Sequence, residues 1–213
     1  MKITLIYDNY VFTEGLLADW GFACLVEVEN TPSILFDAGT NGSILLSNMN
    51  KLSIYPTAIQ EVFISHNHRD HLGGLSAFLG VNRDVKVYVP ASCPPPPGAK
   101  EVISISNPIQ IHENIFSTGE LKRIEQSMAI RTEKGIVVIV GCSHPGVGNI
   151  LESASQFGKV YALIGGLHGF SDLDLLKDLD VICPTHCTLH TTGIKSLYPE
   201  KYIDGGAGKI ISL

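Results

Sequence analysis

The sequence has no apolar run long enough to cross a lipid bilayer, which requires about 20 consecutive apolar residues. It also has no excess of positive charge, because 15 Lys and Arg stand against 21 Asp and Glu, for a net charge of -6. Lys and Arg form no run or stripe, so the basic footprint of a protein that binds the nucleic-acid backbone is missing. We therefore expect neither a membrane partner nor a nucleic-acid partner.

Cysteines are few and odd in number. The five are Cys24, Cys93, Cys142, Cys183 and Cys187. An odd count in a chain of this size argues against a disulfide framework and favours a reducing compartment. Cys183 and Cys187 flank His186, and their roles stay open at this point.

Charged residues make up only 17% of the 213 residues, whereas 45% are hydrophobic. This composition predicts one domain with a large buried core, spanning residues 1–213. Residues 2–7 form an apolar strand pattern that ends at Asp8, which is not the pattern of a signal peptide. The cytoplasm is the expected compartment.

Short β-branched and apolar runs recur along the chain and predict strands, which first pair as hairpins and then alternate with helices. The predicted strands span residues 2–7, 23–28, 33–36, 61–64, 85–89, 109–111, 127–131, 135–140, 159–164, 181–182 and 210–213. The predicted helices span residues 40–52, 71–79, 147–157 and 172–179, and Asn41 is a candidate N-cap of the first. The same order in both halves indicates two stacked sheets with helices outside them.

The main signal for chemistry is a cluster of histidines and one acid just after a predicted strand. Residues 64–74 read Ile-Ser-His-Asn-His-Arg-Asp-His-Leu-Gly-Gly. Alternate side chains of an extended backbone point the same way, so His66 and His68 can bind one metal ion. Asp70 and His71 begin the next helix and can face a second ion. Imidazole and carboxylate are ligands that zinc prefers, and burying four such groups without a partner would be costly.

The pattern His-x-His-x-Asp-His, followed by Leu-Gly-Gly, resembles the signature of the metallo-β-lactamase superfamily. Three further segments resemble other motifs of that superfamily in the same order. They are Leu-Phe-Asp-Ala-Gly at residues 35–39, Gly-Cys-Ser-His-Pro-Gly at 141–146 and Pro-Thr-His-Cys at 184–187. The resemblance implies an α/β fold of four layers, an αββα sandwich, with the site at the rim between its two halves.

Carried over residue by residue, the resemblance implies six metal ligands. His66, His68 and His144 would bind the first ion, and Asp70, His71 and His186 the second. Asp37 would be a carboxylate behind the ligands that fixes the histidine loop. Zinc is the expected cofactor, as one or two ions, with Mn²⁺ or Fe²⁺ as alternatives.

The chain departs from the superfamily pattern at one place. Two-metal members usually carry a bridging Asp after the strand that corresponds to residues 159–164, whereas this chain has Gly-Gly-Leu-His at 165–168. His168 can replace that Asp as a ligand or can contact the substrate, so His168 and Asp70 are the candidate catalytic residues. His190, four residues after His186, is a candidate for the pocket wall or for an exposed loop.

The segments at 141–146 and 165–168 are similar to one branch in particular, the 7,8-dihydropterin-6-methyl-4-(β-D-ribofuranosyl)-aminobenzene-5'-phosphate synthases. Likeness to this branch does not determine the substrate, so it does not by itself imply the synthase reaction. The expected function is a metal-dependent hydrolase. A metal-activated water would attack an ester, thioester or phosphoester in a small molecule. The alternatives are a pterin-type transferase, a non-catalytic metal-binding sensor, and a redox di-iron site. The last is disfavoured because His68 stands where di-iron relatives have Glu.

Overall fold

The computed structural model describes every residue from Met1 to Leu213. Its strands are β1 (Lys2–Tyr7), β2 (Ala23–Glu27), β3 (Ile34–Phe36), β4 (Glu61–Phe63), β5 (Lys86–Pro90), β6 (Glu101–Ile105), β7 (Ile109–His112), β8 (Ile115–Ser117), β9 (Met128–Thr132), β10 (Gly135–Val140), β11 (Val160–Gly166), β12 (Val181–Thr185) and β13 (Ile210–Ser212). Its α-helices are α1 (Gly42–Lys51), α2 (Arg69–Leu72), α3 (Leu75–Val81), α4 (Val147–Ser155) and α5 (Thr191–Leu197). Two 3-10 helices span Pro56–Ala58 and Leu173–Leu176.

The strands form two sheets that pack face to face. The first has seven strands in the order β13-β1-β2-β3-β4-β5-β6, and the second has six in the order β12-β11-β10-β9-β8-β7. A buried cluster that includes Phe36, Phe63, Ile139 and Ile164 fills the space between them. Two further clusters pack α1 and α3 on the first sheet and α4 and α5 on the second. The layers are therefore helix, sheet, sheet, helix, which confirms the αββα sandwich.

Strand direction brings the carboxyl ends of several strands to one edge. In the first sheet, β3, β4, β5 and β6 are parallel neighbours, and β1 has the same direction because it is two antiparallel steps from β3. In the second sheet, β10, β11 and β12 are parallel. Loops that follow parallel strands meet at the same edge of a sheet, so the histidine-bearing turns gather there.

The helix expected at residues 40–52 is confirmed as α1, and the side chain of Asn41 caps it by accepting a hydrogen bond from Ser43 N. The single helix expected at 71–79 is wrong, because the chain forms α2 and α3, separated by Gly73 and Gly74. A Cβ on Gly74 would lie 2.1 Å from Ala38 O, so this break lets the chain pass against the loop after β3.

One other predicted helix has the wrong extent, and two strands and one α-helix of the structure were not predicted. The helix expected at 172–179 is only the one-turn 3-10 helix at Leu173–Leu176. The strands β6 and β8 and the helix α5 were not predicted, since their short, half-polar sequences carry little periodicity. No helix has the length and apolar character that crossing a bilayer demands.

Candidate metal centre

The loops after six strands deliver polar side chains to the rim between the two sheets. These side chains are Asn9 after β1, Asp37 after β3, His66 to His71 after β4, Cys142 and His144 after β10, His168 after β11 and His186 after β12. Four of the residues at this rim have a positive φ although they are not glycine: Asp37, Ser143, His168 and His186. Such backbone conformations are uncommon and tend to cluster at functional sites.

Three histidines converge at one point of the rim. His66 Nε2 lies 3.0 Å from His68 Nδ1, and His144 Nε2 lies 3.1 Å from the same nitrogen. Ligand atoms about 2.1 Å from a tetrahedral zinc are about 3.4 Å apart, so this spacing suits a single ion. With their protons on the other ring nitrogens, these three atoms would all offer lone pairs to one shared cation.

A second group lies beside the first. His186 Nε2 is 3.2 Å and His71 Nε2 is 3.8 Å from Asp70 Oδ2. Asp70, His71 and His186, together with Cys142, each offer one ligand atom within 4.8 Å of the others. His186 Nε2 is buried and makes no hydrogen bond, despite its closeness to Asp70. A buried nitrogen without a partner is costly, and a metal ion in this group would remove that cost.

In three of these rings, the nitrogen that faces away from the site, Nδ1, makes a hydrogen bond. His71 Nδ1 is 2.6 Å from Asp37 Oδ2, and His186 Nδ1 is 2.9 Å from Asn9 Oδ1. His66 Nδ1 is 2.9 Å from Ser65 Oγ, which itself donates to Asp37. These acceptors assign the proton to Nδ1 and leave Nε2 free to bind a cation, as partners behind metal-binding histidines do.

The electrostatics of the cluster favour neutral imidazoles. Burial, and then the neighbouring His71 and His144, lower the pKa of His66 far below its usual value. Burial and His186 do the same to the pKa of His71. The pKa of His144 is lowered by burial and then by His68. Neutral imidazole is the form that binds metal ions, so ligand nitrogens are available at neutral pH.

Trp20 holds Asp70 in place beside His186 in the second group. Trp20 donates its indole N–H to Asp70 Oδ2 at 2.9 Å, and the Trp20 ring lies edge-on to His186 at 5.0 Å between centroids. Burial would raise the pKa of the Asp70 carboxyl, but His186 and His71 outweigh it and hold that pKa below its usual range. Asp70 is therefore a carboxylate at neutral pH.

A buried glutamate organises the loop that carries His144. Glu125 Oε1 accepts the backbone N–H groups of residues 141, 142 and 143, and Glu125 Oε2 accepts that of His144. Burial raises the pKa of Glu125 to about 7, while these amides lower it. One carboxylate thus accepts four successive backbone N–H groups, which fixes the backbone of the turn that carries His144.

Two cysteine sulfurs lie at the floor of the site. Cys142 Sγ is 3.1 Å from His71 Nε2 and 3.3 Å from Cys187 Sγ, which donates to it. All five cysteines are buried and none forms a disulfide. Cys183, which stayed open in the sequence, packs in the core between the sheets instead.

His168 and His190 both lie outside the two converging groups. The His168 ring is exposed, and its centroid is 5.1 Å from that of His144, so it stands at the mouth of the site. His190 is exposed at the start of α5. His168 is therefore close enough to meet a substrate at the first group, whereas His190 has no side-chain contact there.

Known proteins resemble this chain over part or nearly all of its length. Residues 12–88 match the family model of Anti-Pycsar protein Apyc1. The chain is 28% identical to the 7,8-dihydropterin-6-methyl-4-(β-D-ribofuranosyl)-aminobenzene-5'-phosphate synthase of Methanocaldococcus jannaschii, over 99% of this chain and 96% of that protein. The solved structure of Tm1679, a metal-dependent hydrolase of the β-lactamase superfamily, matches with a TM-score of 0.83 at 24% identity, over 100% of this chain and 99% of that one. The chain has the metallo-β-lactamase fold.

The same metallo-β-lactamase fold occurs in a structure that holds zinc. The Zn²⁺-bound PqqB from Methylobacterium extorquens matches with a TM-score of 0.63 at 10% identity, over the full length of both chains. In the present chain, the loops after β3, β4, β10 and β12 carry the four motifs recognised in the sequence, and all four reach the rim of this fold.

Sequence reasoning missed four residues of this metallo-β-lactamase-fold site: Asn9, Trp20, Glu125 and Cys142. Asn9 follows strand β1, so the rule that strand ends meet at one edge could have found it. Glu125 belongs to a polar run, Glu125-Gln126-Ser127, that is fully buried. Nothing local in the sequence marks that burial, because it depends on contacts with residues far along the chain.

Proposed function

We propose that this protein is a metal-dependent hydrolase that acts on an ester, thioester or phosphoester bond in a small molecule. The observation that carries the proposal is the approach of both His66 Nε2 and His144 Nε2 to within hydrogen-bond distance of His68 Nδ1. Three ring nitrogens this close together can share one catalytic metal ion, and a hydrogen bond to Ser65 Oγ holds the back of the His66 ring.

The first ion would be held by His66, His68 and His144, and the second by Asp70, His71 and His186. Imidazole nitrogen and carboxylate oxygen suit zinc, and Mn²⁺ or Fe²⁺ can take the same donors. The occurrence of bound zinc in PqqB, which has the same fold, supports this assignment. When bound, such ions polarise the bond to be cleaved and lower the pKa of a coordinated water.

Asp70 orients the attacking water. Its Oδ2 accepts the Trp20 N–H, so the carboxylate is fixed in rotation and its remaining lone pairs face the site. Because the pKa of Asp70 is held below its usual range, this carboxylate accepts a hydrogen bond from water more readily than it stores a proton. Asp70 therefore acts by alignment, and the proton leaves through solvent at the open rim.

A cleft beside the segment His66 to His71 can hold the part of the substrate that does not react. Asn67 lines this cleft together with Leu72, Leu75 and Leu79 and the proline segment at residues 94–97, and its volume is about 330 Å³. Clefts of this size suit small molecules rather than polymers. The lining is largely apolar, so we expect the substrate to place an acyl or ring portion there.

A pterin-type transferase is the second candidate. The full-length similarity to the synthase of Methanocaldococcus jannaschii favours it. In such a reaction the same centre would neutralise a departing pyrophosphate while an aminobenzene attacks. The two candidates share the metal centre and differ in the acceptor, water in one and an aromatic compound in the other.

The metal centre is tested first, on protein without a histidine tag. Elemental analysis of wild-type protein should find about one to two transition-metal ions per chain, and His66→Ala with His68→Ala should lose most of them. His190→Ala, which changes an exposed histidine outside both groups, is the matched control. Full metal content in the double variant would overturn the assignment.

The reaction is tested next with loaded wild-type protein. A panel of phosphoesters, thioesters and lactones is compared with a dihydropterin pyrophosphate plus an aminobenzene acceptor. Hydrolysis of panel members supports the first candidate. Turnover that requires the aromatic acceptor supports the transferase, and failure of every substrate with full metal content favours a non-catalytic sensor.

A further inference from the structure

The sulfur of Cys142 belongs to both halves of the metal centre. With Asp70, His71 and His186 it forms one cluster of ligand atoms, and with His66 and His144 it forms the other, each cluster lying within 4.8 Å. No other side chain is common to the two clusters. The Cys142 residue is only 3% exposed, so its thiol faces the site and not solvent.

The backbone around Cys142 holds this sulfur in place. Its backbone N–H donates to Glu125 Oε1 at 3.0 Å, as do those of the residues on either side. The next residue, Ser143, has a φ of 61° and donates its hydroxyl to Gly166 O. The position of the sulfur is therefore set by the same carboxylate that sets His144, two residues later.

The end of β11 has no room for an acidic side chain. A Cβ built on Gly166 would lie 2.4 Å from Gly141 O and 2.7 Å from Cys187 Sγ. The Cys187 sulfur and the turn after β10 thus occupy the space that a side chain at residue 166 would enter. The centre lacks a carboxylate between its two clusters, and a sulfur lies there instead.

We infer that Cys142 is the shared ligand of the centre, a thiolate that bridges the two metal ions. The inference rests on the proposed metal centre and adds to it the group that joins the ions. On binding, the Cys142 thiol loses its proton to solvent and its sulfur donates one lone pair to each ion, with no oxidation or reduction. Cys187 Sγ–H, 3.3 Å away, donates a hydrogen bond to that sulfur and supports its negative charge.

A sulfur bridge changes which metals the centre prefers. Thiolate is a soft ligand that favours Zn²⁺ and Co²⁺, whereas a carboxylate bridge would suit Mn²⁺ or Mg²⁺. We therefore expect Zn²⁺ and Co²⁺ to displace Mn²⁺ when metals compete for the metal-free protein. The imidazole ligands already favour Zn²⁺ and Co²⁺ over Mn²⁺, and a bridging thiolate would strengthen that preference.

The bridge is tested in unmodified protein loaded with zinc under reducing conditions. X-ray absorption at the zinc edge separates sulfur at about 2.3 Å from nitrogen and oxygen at about 2.0–2.2 Å. We expect a sulfur shell together with a metal–metal distance, and a sulfur shell without a metal–metal distance overturns the bridge. A shell of nitrogen and oxygen only, in protein that holds its zinc, overturns the inference and leaves the metal centre standing. Protein that binds no zinc overturns both.

A cobalt titration identifies which sulfur is bound. Co²⁺ bound to thiolate gives a sulfur-to-metal charge-transfer band in the near ultraviolet, which nitrogen and oxygen ligands do not give. Cys142→Ser should abolish this band and lower the cobalt content, while Cys187→Ser and Cys93→Ser should retain the band. Cys93 is a buried free thiol just before the proline segment and serves as the matched control. A band that persists in Cys142→Ser, or that disappears only in Cys187→Ser, overturns the inference.

Discussion

Asp37 Oδ2 and His71 Nδ1 lie 2.6 Å apart in a pair that solvent does not reach. The same carboxylate accepts the backbone N–H and the hydroxyl of Ser65, next to His66. One acid thus orients a ring from each metal group, and its own conformation, with a φ of 55°, is of the kind that a non-glycine residue adopts only when its contacts require it.

Asp37→Asn should weaken metal binding without removing the ligands. An asparagine cannot accept all three hydrogen bonds, so the ring of His71 or the Ser65–His66 turn loses its partner. Loss of such a partner typically costs about 10- to 100-fold in metal affinity. Chelator competition measures this change, and Asp84→Asn, an exposed acid paired with Lys100, is the control. Equal affinities in the two variants would contradict the role given to Asp37.

The grouping of the proposed ligands could be predicted from the sequence because the information for it is local. Four of the six proposed ligands stand within residues 66–71, where strand alternation and a helix start determine where they point. The four-layer fold followed from apolar runs and from resemblance. His144 and His186 came from the resemblance, and in the structure their rings lie 4.7 Å from that of His68 and 5.0 Å from that of His71, respectively.

The remainder of the site could not be found this way. Glu125 binds the turn after β10 from the loop before β9, and Trp20 reaches Asp70 from 50 residues earlier. Such contacts depend on how distant segments pack, and no periodic pattern encodes them. The sulfur of Cys142 was present in the recognised Gly-Cys-Ser-His segment, but only the three-dimensional arrangement shows that it adjoins both clusters.

Removing the metal should destabilise the whole protein, because the proposed ligands come from loops of both sheets. A ligand at a thousandfold excess over its dissociation constant stabilises the folded state by about 4 kcal/mol. At about 2–4 °C per kcal/mol for a chain of this size, chelation should lower the melting temperature by roughly 8–16 °C. Calorimetry with and without chelator measures it, and adding zinc back should restore the value. An unchanged melting curve after verified metal removal would count against a centre that joins the sheets.

Glu125→Gln should loosen the turn that carries His144. The amide of glutamine replaces one acceptor oxygen with a donor, which then faces backbone N–H groups inside the protein. Leaving buried donors unsatisfied costs about 1–3 kcal/mol, so the free energy of unfolding should fall by about that amount. Urea denaturation measures it in the metal-free protein. Glu133→Gln, which changes an exposed acid, should have little effect; if both variants behave alike, the hydrogen bonds of Glu125 carry no such stabilisation.

The stability of the metal-free protein should depend on pH through His66. Burial lowers the pKa of His66 in the folded state, so the unfolded chain takes up the proton first as the pH falls. Stability from the neutral ring is therefore present above about pH 6.5 and is lost below it, by up to about 1.4 kcal/mol per pH unit. The difference in unfolding free energy between wild type and His66→Gln should shrink between about pH 7 and pH 5. Curves that stay parallel over this range would contradict the assignment.

His168 should affect turnover more than metal content. Its ring is exposed and 5.1 Å from the ring of His144, and it belongs to neither cluster of ligand atoms. A histidine so placed can donate a hydrogen bond to an oxyanion or phosphate that forms at the centre, and losing one such donor typically costs about 100- to 1000-fold in kcat. His168→Ala should therefore retain its metal, as elemental analysis will show, and lose activity on whichever substrate the wild type accepts. His168→Gln, which keeps a donor, should recover part of that activity. If His168→Ala loses metal and activity in equal proportion, His168 is a metal ligand and not a group that contacts the substrate.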